Sequence, residues 1–516
     1  MQRSFVSVGC FVAAAGVAVS CAGAPERTGS GTPSPTSVIP PASEVYAEPV
    51  EYAYRTPSAE AGEAYFRVIG VGDPYGAGIP YPVFLALQSQ YPEELGRDWR
   101  EFADRFGVHL DPARAGDPTA LPVGFHLAKD PETRVDFLMV NCQLCHAEVL
   151  EVDGAPTVVS GLGNKTLRLH AYDAALVRIA QAPDFDARSL LAATRQAAKA
   201  HDLAWPPDTR EPIVAEVLKK MKHRARVRGA DAERLAAGPP GRIATIEGFA
   251  LAMNEMYGTD VALGEDIGWA KIPDVAPWRY RETNSFDGVS FGAPVAMVAG
   301  ADFAFGVRPQ WYLQHPHIAT SMYLYLRHFT RDLDYPGEID EALAARGEAA
   351  FEQHCATCHG SYPGGRVAYT EEVVAHAVVG TDRTRLDAVT DAFIRASEAV
   401  TETRGYVVTA KSTGYVPRPL VDVWARGLYG HAGQWPDLAT LALPPEDRPQ
   451  QIVVDPSAPL NLDRLGVTWR PPGPTPRGRE YLQDASVPGL GNGGHPFLSD
   501  LEAEERAAVL EYLKTL

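Results

Sequence analysis

Cys142-Gln143-Leu144-Cys145-His146 and Cys355-Ala356-Thr357-Cys358-His359 are two copies of the pattern C-x-x-C-H, and they use every cysteine beyond Cys21. That pattern is the attachment site of a c-type haem. Two thiols one helical turn apart can each add to a vinyl group of one porphyrin, and the adjacent histidine then meets the iron. The expected cofactors are therefore two covalently bound haems c, one on Cys142 and Cys145 with His146 as iron ligand, the other on Cys355 and Cys358 with His359. A disulfide or a zinc site needs no histidine directly after the second cysteine, and a zinc ribbon needs its halves close in sequence. A thioredoxin-like motif opens a helix within a βαβ unit, and neither copy sits in one.

The ligand on the far side of each iron separates electron carriers from catalysts. Methionine is the usual partner in a simple cytochrome c, yet the last methionine is Met322. A ligand supplied from beyond the second motif is then a histidine or another group, with His376, His431 and His495 as candidates. His431 lies in a loop, and His495 follows Gly491-Asn492-Gly493-Gly494, where glycines let backbone approach a flat ring. Spacing alone does not separate the three. For the first motif His170, His201, His315 and His317 compete with five methionines, and no sixth ligand is assigned.

Stepping outward to the elements, residues 342–353 read as a helix running into Cys355, with Gly347 and Phe351 one turn apart. The last helix carries Leu510, Leu513 and Leu516 on one face after a capping box of Ser499 and Glu502. Further helices are expected over 187–201, 212–228 and 242–256, and extended chain over 127–159 on either side of the first motif. The expected fold is mainly α: two cytochrome c-like haem domains, with the N-terminal one (45–337) enlarged by insertions and loops and the C-terminal one spanning 338–516. The apolar stretch 291–307, with Phe303 and Phe305, reads as core or as the wall of a haem pocket. The basic run Lys219 to Arg228 reads as the solvated face of a helix.

The chain opens with Arg3 and an apolar run over residues 5–19 too short to span a bilayer, followed by Ala18-Val19-Ser20 and Cys21. Residues 1–20 are expected to be a signal peptide and Cys21 a lipidated N-terminus. Residues 21–44, rich in Pro, Ser, Thr and Gly, then form a tether. The expected location is periplasmic, anchored to the outer membrane only through lipid. A formal charge of −18 argues against nucleic acid, leaving a redox partner protein or a small-molecule oxidant.

The run Pro419-Leu420-Val421-Asp422-Val423-Trp424-Ala425, then Tyr429, His431, Gly433, Pro436-Asp437-Leu438 and 443–449, resembles the C-terminal half of the di-haem rubber oxygenases. These are relatives of bacterial di-haem cytochrome c peroxidases and MauG-type enzymes. Residues 491–497 are similar to the segment whose histidine is the distal ligand of the C-terminal haem in that family, which moves His495 to first choice. The resemblance implies an oxidoreductase of oxygenase or peroxidase type, with chemistry at the first haem and electron transfer at the second. Trp278 is the candidate for a tryptophan near the reacting haem. The rival reading is a non-catalytic electron carrier with two six-coordinate haems.

Overall fold

Two helix crossings of nearly the same geometry frame the molecule, one beside each C-x-x-C-H segment. The computed structural model describes residues 56–516 apart from 71, 73, 118, 284, 289–305, 332 and 401–409. The signal segment, Cys21, the tether and the stretch 291–305 lie outside the described residues. In the first crossing, helix α1 (Ala59–Arg67) packs on helix α2 (Pro316–His328). In the second, helix α3 (Glu341–His354) packs on helix α4 (Ala503–Tyr512).

Each crossing depends on a glycine. A Cβ on Gly62 would overlap the Ser321 carbonyl and lie 2.7 Å from Tyr325 Cβ, and one on Gly347 would overlap the Ala508 carbonyl and lie 2.9 Å from Tyr512 Cβ. One turn on, an aromatic pair closes each contact. Phe66 and Tyr325 are 5.3 Å apart at 54°, and Phe351 and Tyr512 are 5.4 Å apart at 58°. The sequence carries the repeat as Gly62-Glu63-Ala64-Tyr65-Phe66 and Gly347-Glu348-Ala349-Ala350-Phe351. Gly347 precedes Cys355 by 8 residues, whereas Gly62 precedes Cys142 by 80.

The expectation of a mainly α fold made of two cytochrome c-like domains is overturned. Among the described residues the helices share the molecule with five small sheets. Between α1 and the first motif, Phe125–Lys129 and Asp136–Val140 pair antiparallel, and Ile79–Pro80 adds a third strand. Directly after His146 comes the hairpin of Ala147–Val152 and Ala155–Ser160. Its turn is Asp153-Gly154, both at positive φ (52° and 75°), the combination a tight two-residue hairpin turn requires. The C-terminal half, where helix was expected to dominate, holds a three-stranded sheet of Gln451–Asp455 between Thr468–Arg470 and Tyr481–Asp484. Ile452, Val453 and Val454 are buried there, and β-branched residues favour such half-buried pleated surfaces.

Two sequence expectations about ends and faces change as well. Glu502 caps α4 through its backbone without a side-chain bond, and Ser499 Oγ donates to Pro496 O instead, so no capping box forms. The basic run lies in the helical stretch Pro207–Ala236, which breaks at Gly229 (φ 42°), but it is only partly a solvated face. Arg224 and Arg228 turn inward onto Asp173 and Glu255.

Packing also crosses the expected boundary near residue 337. Leu150, Val159 and Leu162 of the first hairpin region bury into the cluster that contains Phe351, Trp424, Trp435, Leu498 and Tyr512, and Cys355 packs against that same cluster. Arg242 spans the halves too, fully buried and bonded to Ala432 O, Gly433 O, Tyr481 Oη and Gln483 Oε1. No helix of the described residues is long and apolar enough to cross a membrane.

Candidate haem-binding sites

In both motifs the histidine sits one turn after the first cysteine and bonds back to it. His146 N–H donates to Cys142 O at 2.8 Å and His359 N–H to Cys355 O at 3.0 Å. The first turn is a short 3-10 helix capped by Asn141, whose side chain accepts from Gln143 N–H. The second is a separate helical turn that follows α3 after Cys355. No disulfide joins the described cysteines. Burial pushes the Cys355 thiol up to about 11, which keeps it protonated.

The side chains of the two histidines are held alike. His146 Nδ1 lies 2.9 Å from Pro273 O, and His359 Nδ1 lies 2.8 Å from Arg418 O. A carbonyl has no proton to give, so Nδ1 is the donor in each case and Nε2 keeps its lone pair. This bond fixes ring orientation and leaves Nε2 as the nitrogen able to ligate a metal. Burial lowers both, His146 to about 4, so each ring is neutral, as a metal ligand has to be.

The accepting carbonyls belong to two short straps, each tied back to the motif it serves. On the first, Val275 N–H donates to Gly161 O at 2.9 Å, and Gly161 N–H donates to His146 O at 2.7 Å. On the second, Leu420 N–H donates to Tyr362 Oη, whose hydroxyl donates to His359 O at 2.9 Å, while Tyr369 Oη donates to Pro417 O at 2.6 Å. A shared ionic cluster joins the straps. Arg331 forks onto Asp274 at 2.7 and 2.9 Å and reaches Asp422 at 2.7 Å, and Arg426 adds to Asp274 at 3.2 Å. Burial alone would raise the Asp274 carboxyl, but Arg331 and Arg426 outweigh it and hold it down at about 2. The strap carbonyls had no signal in the sequence, because any residue can offer one.

Opposite His359 stands His495, with ring centroids 6.2 Å apart at 54°. Imidazole nitrogens bind metals at about 2 Å, so two rings at this separation leave room for one metal between them. His495 is one of the few non-glycine residues at positive φ (48°), on the loop Gly491-Asn492-Gly493-Gly494. Arg448 locks that loop: its guanidinium donates to Asn492 O at 2.8 Å, Gly494 O at 2.6 Å and His495 O at 3.2 Å. Trp435 Nε1–H donates to Asn492 O at 2.9 Å. Gly494, itself at φ 71°, passes so close to Gly380 that a Cβ would overlap its backbone. His495 N–H donates to Val379 O at 2.7 Å, and its Nδ1 has no hydrogen-bond partner. Burial, with His359 as neighbour, pushes the imidazole down to about 3.

The other two candidates are occupied elsewhere. His431 stacks on Tyr415 at 4.3 Å and 15° and lies 3.3 Å from its hydroxyl. His376 opens a short helical turn, with Nε2 2.7 Å from Thr381 O.

The first site differs on its open side. Among the described residues the ring beside His146 is Phe66, at 6.4 Å, and no histidine pairs with it as His495 pairs with His359. Cys142 packs against two apolar clusters, one containing Phe66, Trp278, Leu326 and Phe329 and the other Tyr65, Tyr312 and Met322. Trp278 thus belongs to the apolar wall of this site. Met322 is in core packing, and Met253 is fully buried in a separate cluster. His170 is engaged too, its Nε2 accepting from Ala244 N–H at 2.9 Å.

Among the described residues no cluster of three or more His, Cys, Asp or Glu side chains is assembled for a metal. A haem iron asks less of the chain, since the porphyrin supplies the remaining ligands. The donor sets at both motifs fit that group: a neutral, oriented imidazole beside two thiols.

No family model matches the chain. A stretch of 146 residues, 23% of this chain, is 32% identical to the uncharacterized protein y4iM of Sinorhizobium fredii. The matched stretch spans about a third (32%) of that relative's length.

Proposed function

We propose that this chain is a di-haem c-type redox protein, with one haem on Cys142, Cys145 and His146 and the other on Cys355, Cys358, His359 and His495. The observation that carries the reading is the paired strap geometry. At both C-x-x-C-H turns a backbone carbonyl takes the Nδ1 proton and leaves Nε2 bare, and at the second turn His495 faces the same gap. When bound, haem supplies one-electron transfer and, where a coordination position is open, reactivity towards O₂ or peroxide.

The protein's own contribution differs between the sites. At the second, His359 and His495 would hold the iron, which suits an electron-transfer site. At the first, His146 would hold it, and Cys142 packs against the apolar cluster of Phe66, Trp278, Leu326 and Phe329. An apolar surround of this kind favours an oxygenase-type reaction over peroxide cleavage, which needs a distal acid or base to move a proton. The resemblance to rubber oxygenases and di-haem peroxidases supports an oxidoreductase of either type. Among the described residues this asymmetry favours an open first site over a plain carrier with two six-coordinate haems. We further propose export through residues 1–20 and a lipid anchor on Cys21, so that the partners are a redox protein or a small oxidant outside the cytoplasm.

Mass spectrometry of the purified protein tests both parts. The reading expects two haem additions, on the peptides holding Cys142 to His146 and Cys355 to His359, and an acylated Cys21 at the mature N-terminus. A single addition sinks the first site, and an unmodified N-terminal peptide starting elsewhere sinks the anchor.

A further inference from the structure

Arg418 is the one strap residue whose side chain the strap does not explain. It is 8% exposed, and no carboxylate among the described residues pairs with it. Its Nη1–H reaches the Asp274 carbonyl at 3.3 Å, and its guanidinium lies over the Phe286 ring at 4.1 Å. Nε and Nη2 have no hydrogen-bond partner.

Arg281, fully buried, is a charged neighbour of it. Arg281 Nη2 donates to Thr283 Oγ1 at 3.0 Å and Ser285 O at 2.7 Å, while Nη1 has no partner. The nearest carboxylate, Glu371, is 3.4 Å from Arg281 Nε, and it already accepts from the backbone N–H groups of Glu282 and Thr283. The other carboxylates near the two guanidinium groups are already taken, Asp274 by Arg331 and Arg426 and Asp287 by Arg385. A buried guanidinium does not give up its proton, a buried cation without a counter-charge is destabilising, and a planar N–H fork matches a carboxylate best.

We propose that Arg418 and Arg281 form a buried carboxylate site that receives a propionate of a bound porphyrin. The inference rests on the di-haem reading, which brings carboxylates to this region. Arg418 starts at the carbonyl that holds His359, and its guanidinium ends on the residue after Pro273, which holds His146. The site thus lies between the two straps, and either haem could furnish the propionate.

The test uses full-length, matured protein whose haem carries carbon-13 in the propionate carboxyls, read by infrared difference spectra at stepped potentials. In the wild type one label-sensitive carboxylate band should sit at the position of a guanidinium-bound carboxylate. It should move to the solvated position in Arg418→Gln and in Arg281→Gln, and stay near the wild-type position in Arg418→Lys, which keeps the charge. The potential at which the band appears assigns it to one haem or the other. Arg281→Gln leaves the His359 strap untouched and serves if Arg418→Gln does not mature. Labelled bands that are the same in the wild type and the Gln variants overturn the site while the di-haem reading stands. Protein that carries no labelled haem overturns the di-haem reading itself.

Discussion

The two C-x-x-C-H turns are alike on the side of their own histidine and unlike on the other. Each histidine gives its Nδ1 proton to a strap carbonyl, at 2.9 Å for His146 and 2.8 Å for His359. Each turn stands beside a glycine-dependent crossing with the same aromatic pair. On the far side, the second turn meets a histidine held by a buried arginine and a chain of glycines, whereas among the described residues no histidine stands opposite His146. The shared parts orient the two motif histidines, and the unshared parts set the two sites apart.

The largest effect comes from breaking what the halves share. Gly347→Val or Gly62→Val drives a side chain into the backbone of the crossing helix and should lower stability by about 3 kcal/mol, read as a fall in the denaturant midpoint. A loss at Gly347 with none at Gly62 would show that only one crossing is structural. A smaller and more local effect is expected from His495→Ala. It should convert the second site from low-spin to high-spin or water-ligated without disturbing the first. An unchanged spectrum would pass the role to His431 or His376.

The last effect is a pH trend to which His126 and His170 of the N-terminal half contribute. Burial lowers His126 to about 3 and His170 to about 4, so both are neutral in the folded protein and accept backbone N–H groups there. The unfolded chain takes up these protons below about 6.5, so stability is full above that pH and falls as pH drops from about 6.5 towards 3. His126→Gln should flatten part of the slope in unfolding midpoints measured between these limits. An identical slope would remove His126 from the account.

The helix running into Cys355 was legible in the sequence, and the two C-x-x-C-H motifs stand out because such chemistry would fix their spacing. His495 emerged only through resemblance, since glycine-rich approach and loop placement do not by themselves choose among His376, His431 and His495. The repeat was present in the sequence as G-E-A-x-F, but the long insertion before Cys142 hid it, so α1 was not connected with the first motif. The fold class failed for a different reason. Strands such as Arg242–Ile243 or Val374–Ala375 are two residues long, too short to leave an alternating pattern, and they form only when distant loops meet. Even Gln451–Asp455, with its Ile-Val-Val run, is bounded by prolines that read as loop. The strap carbonyls of Pro273 and Arg418 were beyond reach, because backbone acceptors have no residue signature.

Electron paramagnetic resonance of the oxidised, matured protein, repeated after addition of cyanide, tests the asymmetry most directly. The account predicts two haem signals: one low-spin, bis-histidine species that cyanide leaves unchanged, and one species that cyanide converts. Two low-spin signals that both ignore cyanide would contradict it and reduce the protein to an electron carrier.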